Sequence, residues 1–550
     1  MIHRVGLRRF KRFGDVEFVL PGHVVLAGPN NTGKTTVLQA IAAWSLALER
    51  WKQLNDYQRH GGYYTRAPIA RQAFSAVPLR SFDLLWRERD YRGSLEIEIQ
   101  SALDGWTVAM ELIADSTEQI YVRPLPAASP EVVRAAHLTT VFVPAMSGLG
   151  TEEPLYQRPK VDQLLGQAKP GDVLRNLLVE AAASERAWTG LQASIRRLFG
   201  FELTPPDAAG PHILAEYRER PGGPALDIAS AGSGFQQVLM LLAFLQTRPG
   251  AVLLLDEPDA HLHVILQDAI CGELRAVAAQ ARSQLIIATH SEVIINGAEP
   301  RELCVLFDGP RMLATTEEQA RVILSLKVLS QTDMMLALTA PGVLYLENYT
   351  DRDILREWAR VLGHPAYDLF GSRTFFWRPT VAETRTGSPG IRAPQHYEAL
   401  RLVRENLPAI ELVDGDARPE IQPTEITGRG FQRLRWRRYE IESYLVHPEA
   451  LVRFVEHTVG PAAAAPHVAD LRRYLRENFP PAVLRDPLGD HAFLNATKAR
   501  SELLPPALAA AGLPGLPYTR YHEIAAFMRP EEIHPEVTEK LDGIMRAFGL

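Results

Sequence analysis

Cysteine, lysine and long apolar runs are all scarce in this chain, and each shortage narrows what it can be. Two cysteines in 550 residues, Cys271 and Cys304, could close one disulfide at most. VLMLLAFL at 238–245 is among the longest apolar stretches, far short of the roughly 18 residues that span a bilayer. The opening MIHRVGLRRF has no apolar h-region, so a secretory signal is not expected. Together these features point to the cytoplasm. A positive surplus is also missing. The formal net charge of −6 gives no reason for the whole surface to bind nucleic acid, so such binding would need a local basic patch. There are eight lysines against 51 arginines, and beyond residue 300 the lysines are Lys327, Lys498 and Lys540.

What remains is ordinary globular material, 46% apolar and 23% charged. At this length one hydrophobic core is not enough, and two to four domains are expected. GPNNTGKTT at 28–36 fits G-x-x-x-x-G-K-[ST]. HVVLA before it reads as a buried strand and TVLQAIAAWSLAL after it as a helix. In that setting Asn30, Asn31, Thr32, Gly33, Lys34, Thr35 and Thr36 wrap ATP phosphates with backbone N–H groups at a helix N-terminus. Lys34 would meet the β- and γ-phosphates and Thr35 would ligate Mg²⁺.

VLLLDEPDAHLH supplies the complementary half. Its apolar run at 251–255 is a buried strand ending at Asp256, expected to hold Mg²⁺, and Glu257, expected to polarise the attacking water. QLIIATHSE at 284–292 is a third apolar strand that ends at His290, a candidate γ-phosphate sensor. With LRRFKRFGDVEFVL ahead and SAGSGFQQVLMLLAFL between, this set resembles the ABC-type ATPase head of SMC-like and OLD-family proteins. The resemblance implies a homodimer in which Ser233–Gly234, opening a helix, cap the ATP of the opposite subunit. The segment departs from LSGGQ, and the Gln-containing loop has no assigned position. Between about 126 and 225 the ATPase pattern is interrupted. TTVFVPA reads as a strand, and a helical stretch broken near Pro170–Gly171 reads as an insert, about 150–200, that pairs subunits. No long heptad run suggests a coiled-coil arm.

A second acidic centre follows a helical linker (316–340) and Pro341–Gly342. VLYLENYTDRDILREWARVLG reads as strand, acidic turn and amphipathic helix, with Ile354, Leu355, Trp358 and Val361 on one face. Glu347 ends the strand and Asp351 opens the helix, where a carboxylate is also a plain cap. AIELVDGDARPE places Asp414 and Asp416 at i, i+2, on one face of an extended strand end, with Gly415 letting the chain turn. RLRWRRYEIESYL repeats that spacing with Glu440 and Glu442, after Arg433, Arg435, Arg437 and Arg438; a solvated strand edge would look the same. Six carboxylates from three strand ends would repel one another unless hard divalent cations, Mg²⁺ or Mn²⁺, neutralised them. Two such ions can clamp both oxygens of a phosphodiester displacement.

E-x-x-x-D, D-x-D and E-x-E-x-Y resemble the Toprim domain, and an ABC ATPase followed by it resembles OLD-family nucleases and the ATPase–nuclease subunit of Gabija anti-phage systems. The expected fold is thus α/β: an ABC-type ATPase domain over 1–315, a Toprim α/β domain over 341–505, and a helical extension over 506–550 without a motif. By the resemblance, Glu347 is a metal ligand or general base, and Asp351, Asp414, Asp416, Glu440 and Glu442 complete the metal set. Lys498 matches a late lysine that contacts phosphate. The family puts Gly directly after the glutamate; here Asn348 stands there, a residue that tolerates left-handed backbone, so the turn is expected to survive.

These readings converge on an ATP-gated, metal-dependent DNA endonuclease. The resemblance implies anti-phage defence and a helicase-type partner. Arg433 to Arg438 with Trp436 would contact the phosphate backbone without sequence preference. The alternative is an ATPase sensor whose Toprim fold is inactive and docks DNA or a partner. A membrane-transporter ATPase subunit fits less well, because such subunits lack a C-terminal acidic domain of this kind.

Overall fold

The apolar run at 251–255 forms the Val252–Asp256 strand, which has parallel neighbours on both sides. A parallel strand covered on both faces has no wet side, so it is apolar throughout instead of alternating. It lies in a six-stranded sheet ordered Thr140–Val143, Val252–Asp256, Gln284–Thr289, Val24–Ala27, Leu303–Leu306 and Pro310–Met312. The first five run parallel and the last is an antiparallel edge. The residues that follow Val24–Ala27, Val252–Asp256 and Gln284–Thr289 therefore emerge at one end of the sheet.

The computed structural model describes residues 1–550 apart from 75, 78, 145–148, 151, 167–168, 261, 263, 308, 374, 378–390, 417–423 and 427–429. The chain forms two units, Met1–Leu326 and Lys327–Leu550. In the first unit a second, antiparallel sheet comprises Asp15–Val19, Ile2–Arg8, Leu95–Ser101, Thr107–Ala114, Gln119–Pro124 and Ala67–Ala70. Its long strands bury alternate residues, as expected for a sheet with one face on the core. The helix Lys34–Leu54 buries Val37, Leu38, Ile41, Trp44, Leu48 and Trp51 in a core shared with both sheets. Gln284, fully buried at the start of an interior strand, ties the two sheets together. Its Oε1 accepts from Ile2 N–H at 2.6 Å, and its Nε2 donates to Ile2 O at 2.9 Å and Gly22 O at 2.6 Å.

The expected insert contains the helices Arg158–Gly166, Leu174–Ala182 and Glu185–Phe199, with a 3-10 turn at Pro170–Asp172 where the pattern broke. Ser184 caps the last by accepting from Ala187 N–H, and left-handed Gly200 ends it. The helix Ser233–Thr247 packs against the latter two and is apolar nearly all round because it is buried nearly all round.

The second unit has a five-stranded sheet ordered Phe375–Trp377, Val343–Leu346, Ala409–Val413, Phe431–Arg435 and Thr424–Ile426. Four strands are parallel and the last is antiparallel. The helix Tyr349–Leu362 buries Ile354, Leu355 and Trp358; Val361 is half-buried. The residues beyond 505 are not an appendage: Pro535–Ala547 buries Val537, Leu541 and Ile544 in the core of this unit. Residues 316–340 hold the helices Thr316–Val328 and Gln331–Thr339, and the boundary between units falls inside the first. Among the described residues no helix is long and apolar enough to cross a membrane.

Gln284→Leu would leave the buried N–H and C=O of Ile2 without this partner, and the Gly22 carbonyl as well. We expect a loss of roughly 3 kcal/mol, at about 1–3 kcal/mol per unsatisfied group with partial relaxation, read as a lower urea midpoint for the first unit.

Candidate nucleotide and carboxylate sites

The phosphate loop of the first unit is shaped by backbone that few residues tolerate. Gly28 (φ 152°) and Gly33 (φ 104°) lie in the left-handed region, and so does Asn31 at 63°. A Cβ on Gly28 would lie 2.5 Å from Leu306 O, and one on Gly33 would meet the Phe13 ring and Arg12 Cδ. Lys34 is buried, and its Nζ donates to Gly28 O at 2.7 Å and Pro29 O at 2.8 Å, closing the loop on itself. Thr32 Oγ1 donates to Pro29 O at 2.9 Å. Burial lowers the Lys34 pKa, with Glu257, Asp256 and Asp259 opposing.

Thr35 and Asp256, 221 positions apart in sequence, are in direct contact: Thr35 Oγ1 lies 2.8 and 2.9 Å from the two carboxylate oxygens. Burial raises the Asp256 pKa against that hydrogen bond. Glu257 sits at φ 48°, a strained position for a non-glycine residue, and its Oε1 lies 3.2 Å from His290 Nδ1. Thr289 Oγ1 donates to Asp259 Oδ1 at 2.7 Å and accepts from Ser291 N–H at 2.9 Å, fixing the turn that carries His290. Lys34, Thr35, Asp256, Glu257 and His290 thus gather at one sheet end. Asn30 is exposed on the loop, and Thr36 lies in the first turn of the helix Lys34–Leu54. Ser233 and Gly234 open the helix Ser233–Thr247, with Ser233 exposed. An all-oxygen pair, Thr35 and Asp256, suits Mg²⁺.

In the second unit, Glu347 follows the Val343–Leu346 strand and its Oε1 accepts from Asp414 N–H at 3.3 Å. Asp414 Oδ1 accepts from Ile441 N–H at 3.3 Å. Glu440 Oε1 accepts from Arg500 N–H at 2.5 Å. Asp351 caps its helix by accepting from Asn348 N–H at 3.0 Å, so the cap reading holds, yet the same carboxylate faces the cluster. Burial first, then repulsion from the other acids, pushes Asp351 up to about 7, Glu442 to about 8 and Asp414 to about 9. Glu442 is 2% exposed and its Oε1 has no hydrogen-bond partner. Asp416 is half-buried just beyond Asp414.

The donor set is all carboxylate oxygen, and a crowded cluster with an orphaned buried oxygen suits a hard cation in chemistry. As arranged, however, among the described residues no three His, Cys, Asp or Glu side chains are placed to hold one metal ion together. Several of these carboxylates are held on backbone N–H groups instead.

Four expectations need correction. Glu440 and Glu442 are not on a strand: Glu440 precedes the 3-10 turn Ile441–Leu445, and both are buried. Gly415 has no left-handed backbone; a Cβ there would fall on Arg438 O and Trp436 O, so close approach requires the glycine. Asn348 is extended (φ −139°), so the position needs no glycine-like freedom. The arginine row is not one basic face. Arg438 and Trp436 are 3% and 2% exposed, and Arg438 donates to Ser443 O, Pro487 O and Gly489 O. Arg433 pairs with Glu411 at 2.5 Å and Arg435 donates to Gly415 O and Asp416 O. Arg437 is 70% exposed, with Glu539 at 3.4 Å. Neighbouring acids and backbone carbonyls claim these guanidinium groups.

Lys498 is exposed, its Nζ 5.8 Å from the Tyr439 ring. The cation nearest the carboxylates is two residues on: Arg500 Nη1 lies 3.9 Å from Glu442 Oε1. The resemblance pointed to Lys498, and nothing in the sequence singled out Arg500. The buried Glu536, which accepts from Arg437 N–H and the Tyr444 hydroxyl, lay in a stretch without a motif. Arg12 and Phe13, against the phosphate loop, had no signal beyond preceding it.

A family model described as "AAA domain, putative AbiEii toxin, Type IV TA system" matches residues 157–296, a span that includes Ser233, Asp256, Glu257 and His290 and begins after the phosphate loop. The chain therefore carries an ATPase-type domain. Similar solved structures include an SMC head bound to the C-winged helix domain of ScpA (16% identity, 55% of this chain and 93% of that one, TM-score 0.34). The SMC head domain from Thermotoga maritima is another (17% identity, 57% and 99%, TM-score 0.32). A third is an Smc head domain with an extended coiled coil bound to the C-terminal domain of ScpA, derived from Pyrococcus furiosus (15% identity, 59% and 98%, TM-score 0.35). No curated protein matches the chain.

The raised carboxyls set a pH dependence. Folding holds protons that the unfolded chain releases above its ordinary carboxyl range, so stability falls as pH rises. With chelator present, the second unit should lose thermal stability steadily from about pH 4 through about 9, the range between the ordinary Asp value and that of Asp414. Asp414→Asn should flatten the upper part of that slope in a melting-temperature series.

Proposed function

With an ATPase domain in the first unit as premise, we propose that the chain is an ATP-regulated, divalent-metal-dependent DNA endonuclease of the OLD type. In this reading the second unit, over 341–505, is a Toprim nuclease domain. The observation that carries it is the convergence of Glu347, Asp351, Asp414, Glu440 and Glu442 at one sheet end with an unpartnered buried oxygen on Glu442. Structural ion pairs come with matching cations; a site with this surplus of acid invites divalent ones.

In the ATPase, Lys34 and the loop N–H groups bind the phosphates, Thr35 and Asp256 hold Mg²⁺, and Glu257 orients the attacking water. His290, already at hydrogen-bond distance from Glu257, links that base to the γ-phosphate position. Closing a second subunit's Ser233–Gly234 helix end over the nucleotide makes the active form a homodimer, with 150–200 contributing to pairing. In the nuclease, Glu347, Asp351, Asp414, Asp416, Glu440 and Glu442 would hold Mg²⁺ or Mn²⁺. Bound there, such ions stabilise charge on the attacking and leaving oxygens. Glu347 is the general base, and Lys498 and the exposed Arg437 meet phosphate. The toxin-system ATPase family that matches residues 157–296 accords with a defence role, and a helicase-type partner belongs to the same reading.

A second reading has an observation of its own. Several carboxylates are held on amides and, among the described residues, none form a ready ligand trio, which suits an inactive domain that docks DNA or a partner.

Supercoiled plasmid incubated with Mg²⁺ or Mn²⁺ and ATP decides between them. Wild type should nick. Glu347→Ala should lose nicking while retaining ATP hydrolysis, and Glu257→Gln should slow hydrolysis by about 100-fold or more. Absence of nicking under every nucleotide condition would favour the docking module; nicking by Glu347→Ala at the wild-type rate would move the site elsewhere.

A further inference from the structure

The guanidinium of Arg500 stands among the carboxylates but is held by a neutral amide and an aromatic ring. Its Nη1 is 3.9 Å from Glu442 Oε1, a charge contact too long for a hydrogen bond. Its backbone N–H, not its side chain, serves Glu440. Its Cζ lies over the Tyr518 ring, 5.5 Å from the ring centre, within cation–π range. With the Asn348 amide oriented to satisfy both its atoms, Asn348 Oδ1 accepts from Arg500 Nη1 at 2.9 Å and its Nδ2 donates to Glu347 O at 3.2 Å. Asn348 thus connects Arg500 to the strand end that carries Glu347.

A counter-ion for Glu442 would be buried with it. Instead the Arg500 side chain is 38% exposed where Glu442 is 2%. It therefore presents its fork of N–H donors to solvent beside the acids. Carboxylates alone repel a phosphodiester, and a planar fork next to them matches its two non-bridging oxygens.

We propose that Arg500, oriented by Asn348, grips the substrate phosphate at the Glu347 site, as a second cation beside Lys498. This rests on the nuclease reading of that site. Asn348, where the Toprim pattern has glycine, is then a positioning residue for Arg500.

The test measures binding of a fluorescein-labelled DNA duplex at graded KCl, with Ca²⁺ replacing Mg²⁺ to slow cleavage. Mn²⁺ binding by electron paramagnetic resonance and melting temperature accompany it. Arg500→Gln should weaken duplex binding by about tenfold or more and reduce the slope of log K against log salt by about one, with Mn²⁺ binding kept or tightened. Arg500→Lys should restore the slope but only part of the affinity, since a point charge lacks the fork. Asn348→Gly should keep the slope and weaken binding less. Wild-type affinity and slope in Arg500→Gln, with tighter Mn²⁺ binding, would make Arg500 a counter-ion only and overturn the proposal. Joint loss of Mn²⁺ binding and melting temperature in that variant would make it structural and overturn it equally. Failure of the nuclease reading looks different: wild type binds the duplex with an Arg500-dependent slope yet never nicks plasmid.

Discussion

Taking a carboxylate out of water is costly unless hydrogen bonds or a cation replace the water, and both units are organised around that cost. In the second unit the ends of Val343–Leu346 and Ala409–Val413 and the turn at Ile441–Leu445 bring acids close together. Backbone N–H groups of Asp414, Ile441, Asn348 and Arg500 take one oxygen each. What they leave over, above all on Glu442, is uncompensated negative charge, with the Arg500 guanidinium 3.9 Å away. That remainder is the ground on which the proposed nuclease reading rests.

The first unit handles the same problem with one acid at a time. Asp256 is buried but receives the Thr35 hydroxyl, and Asp259 receives Thr289. Glu257 projects from a left-handed position next to His290 and keeps partial contact with solvent. Lys34, folded onto its own loop carbonyls, holds the loop in shape and must turn from them to reach a phosphate. Isolated, hydrogen-bonded acids suit a single Mg²⁺ and a single water; a crowd of acids suits more charge. The two centres therefore differ in electrostatics even though both follow an apolar strand.

Much of this was legible from residue order. The phosphate loop, the strands ending at Asp256 and Thr289, and the strand ending at Leu346 followed from buried parallel strands being apolar throughout. The antiparallel sheet of the first unit was not read, because alternating burial in Leu95–Ser101 competes with no motif that would mark it. The segment 433–442 was read as one basic, phosphate-contacting row followed by a strand-borne acidic pair, because the i, i+2 spacing of Arg and Glu suits an extended chain. In the fold, Arg433 neutralises Glu411, Arg438 satisfies carbonyls, and the chain turns at Glu440. Asn348 was misread in a different way, as a departure that had to tolerate left-handed backbone; its extended conformation makes the amide available to Arg500.

The sequence by itself determined which strands are buried, where each ends in acid, and which loop can wrap phosphate, since these depend on short-range pattern and spacing. Only the tertiary structure decided that Arg500, two positions from Lys498 in sequence, comes within 3.9 Å of Glu442. It also decided that the C-terminal helix Pro535–Ala547 belongs to the second core, with Glu536 buried beneath Arg437 and Tyr444. Burial and repulsion among groups far apart in the chain act through distance, and distance is what a linear order of residues does not contain.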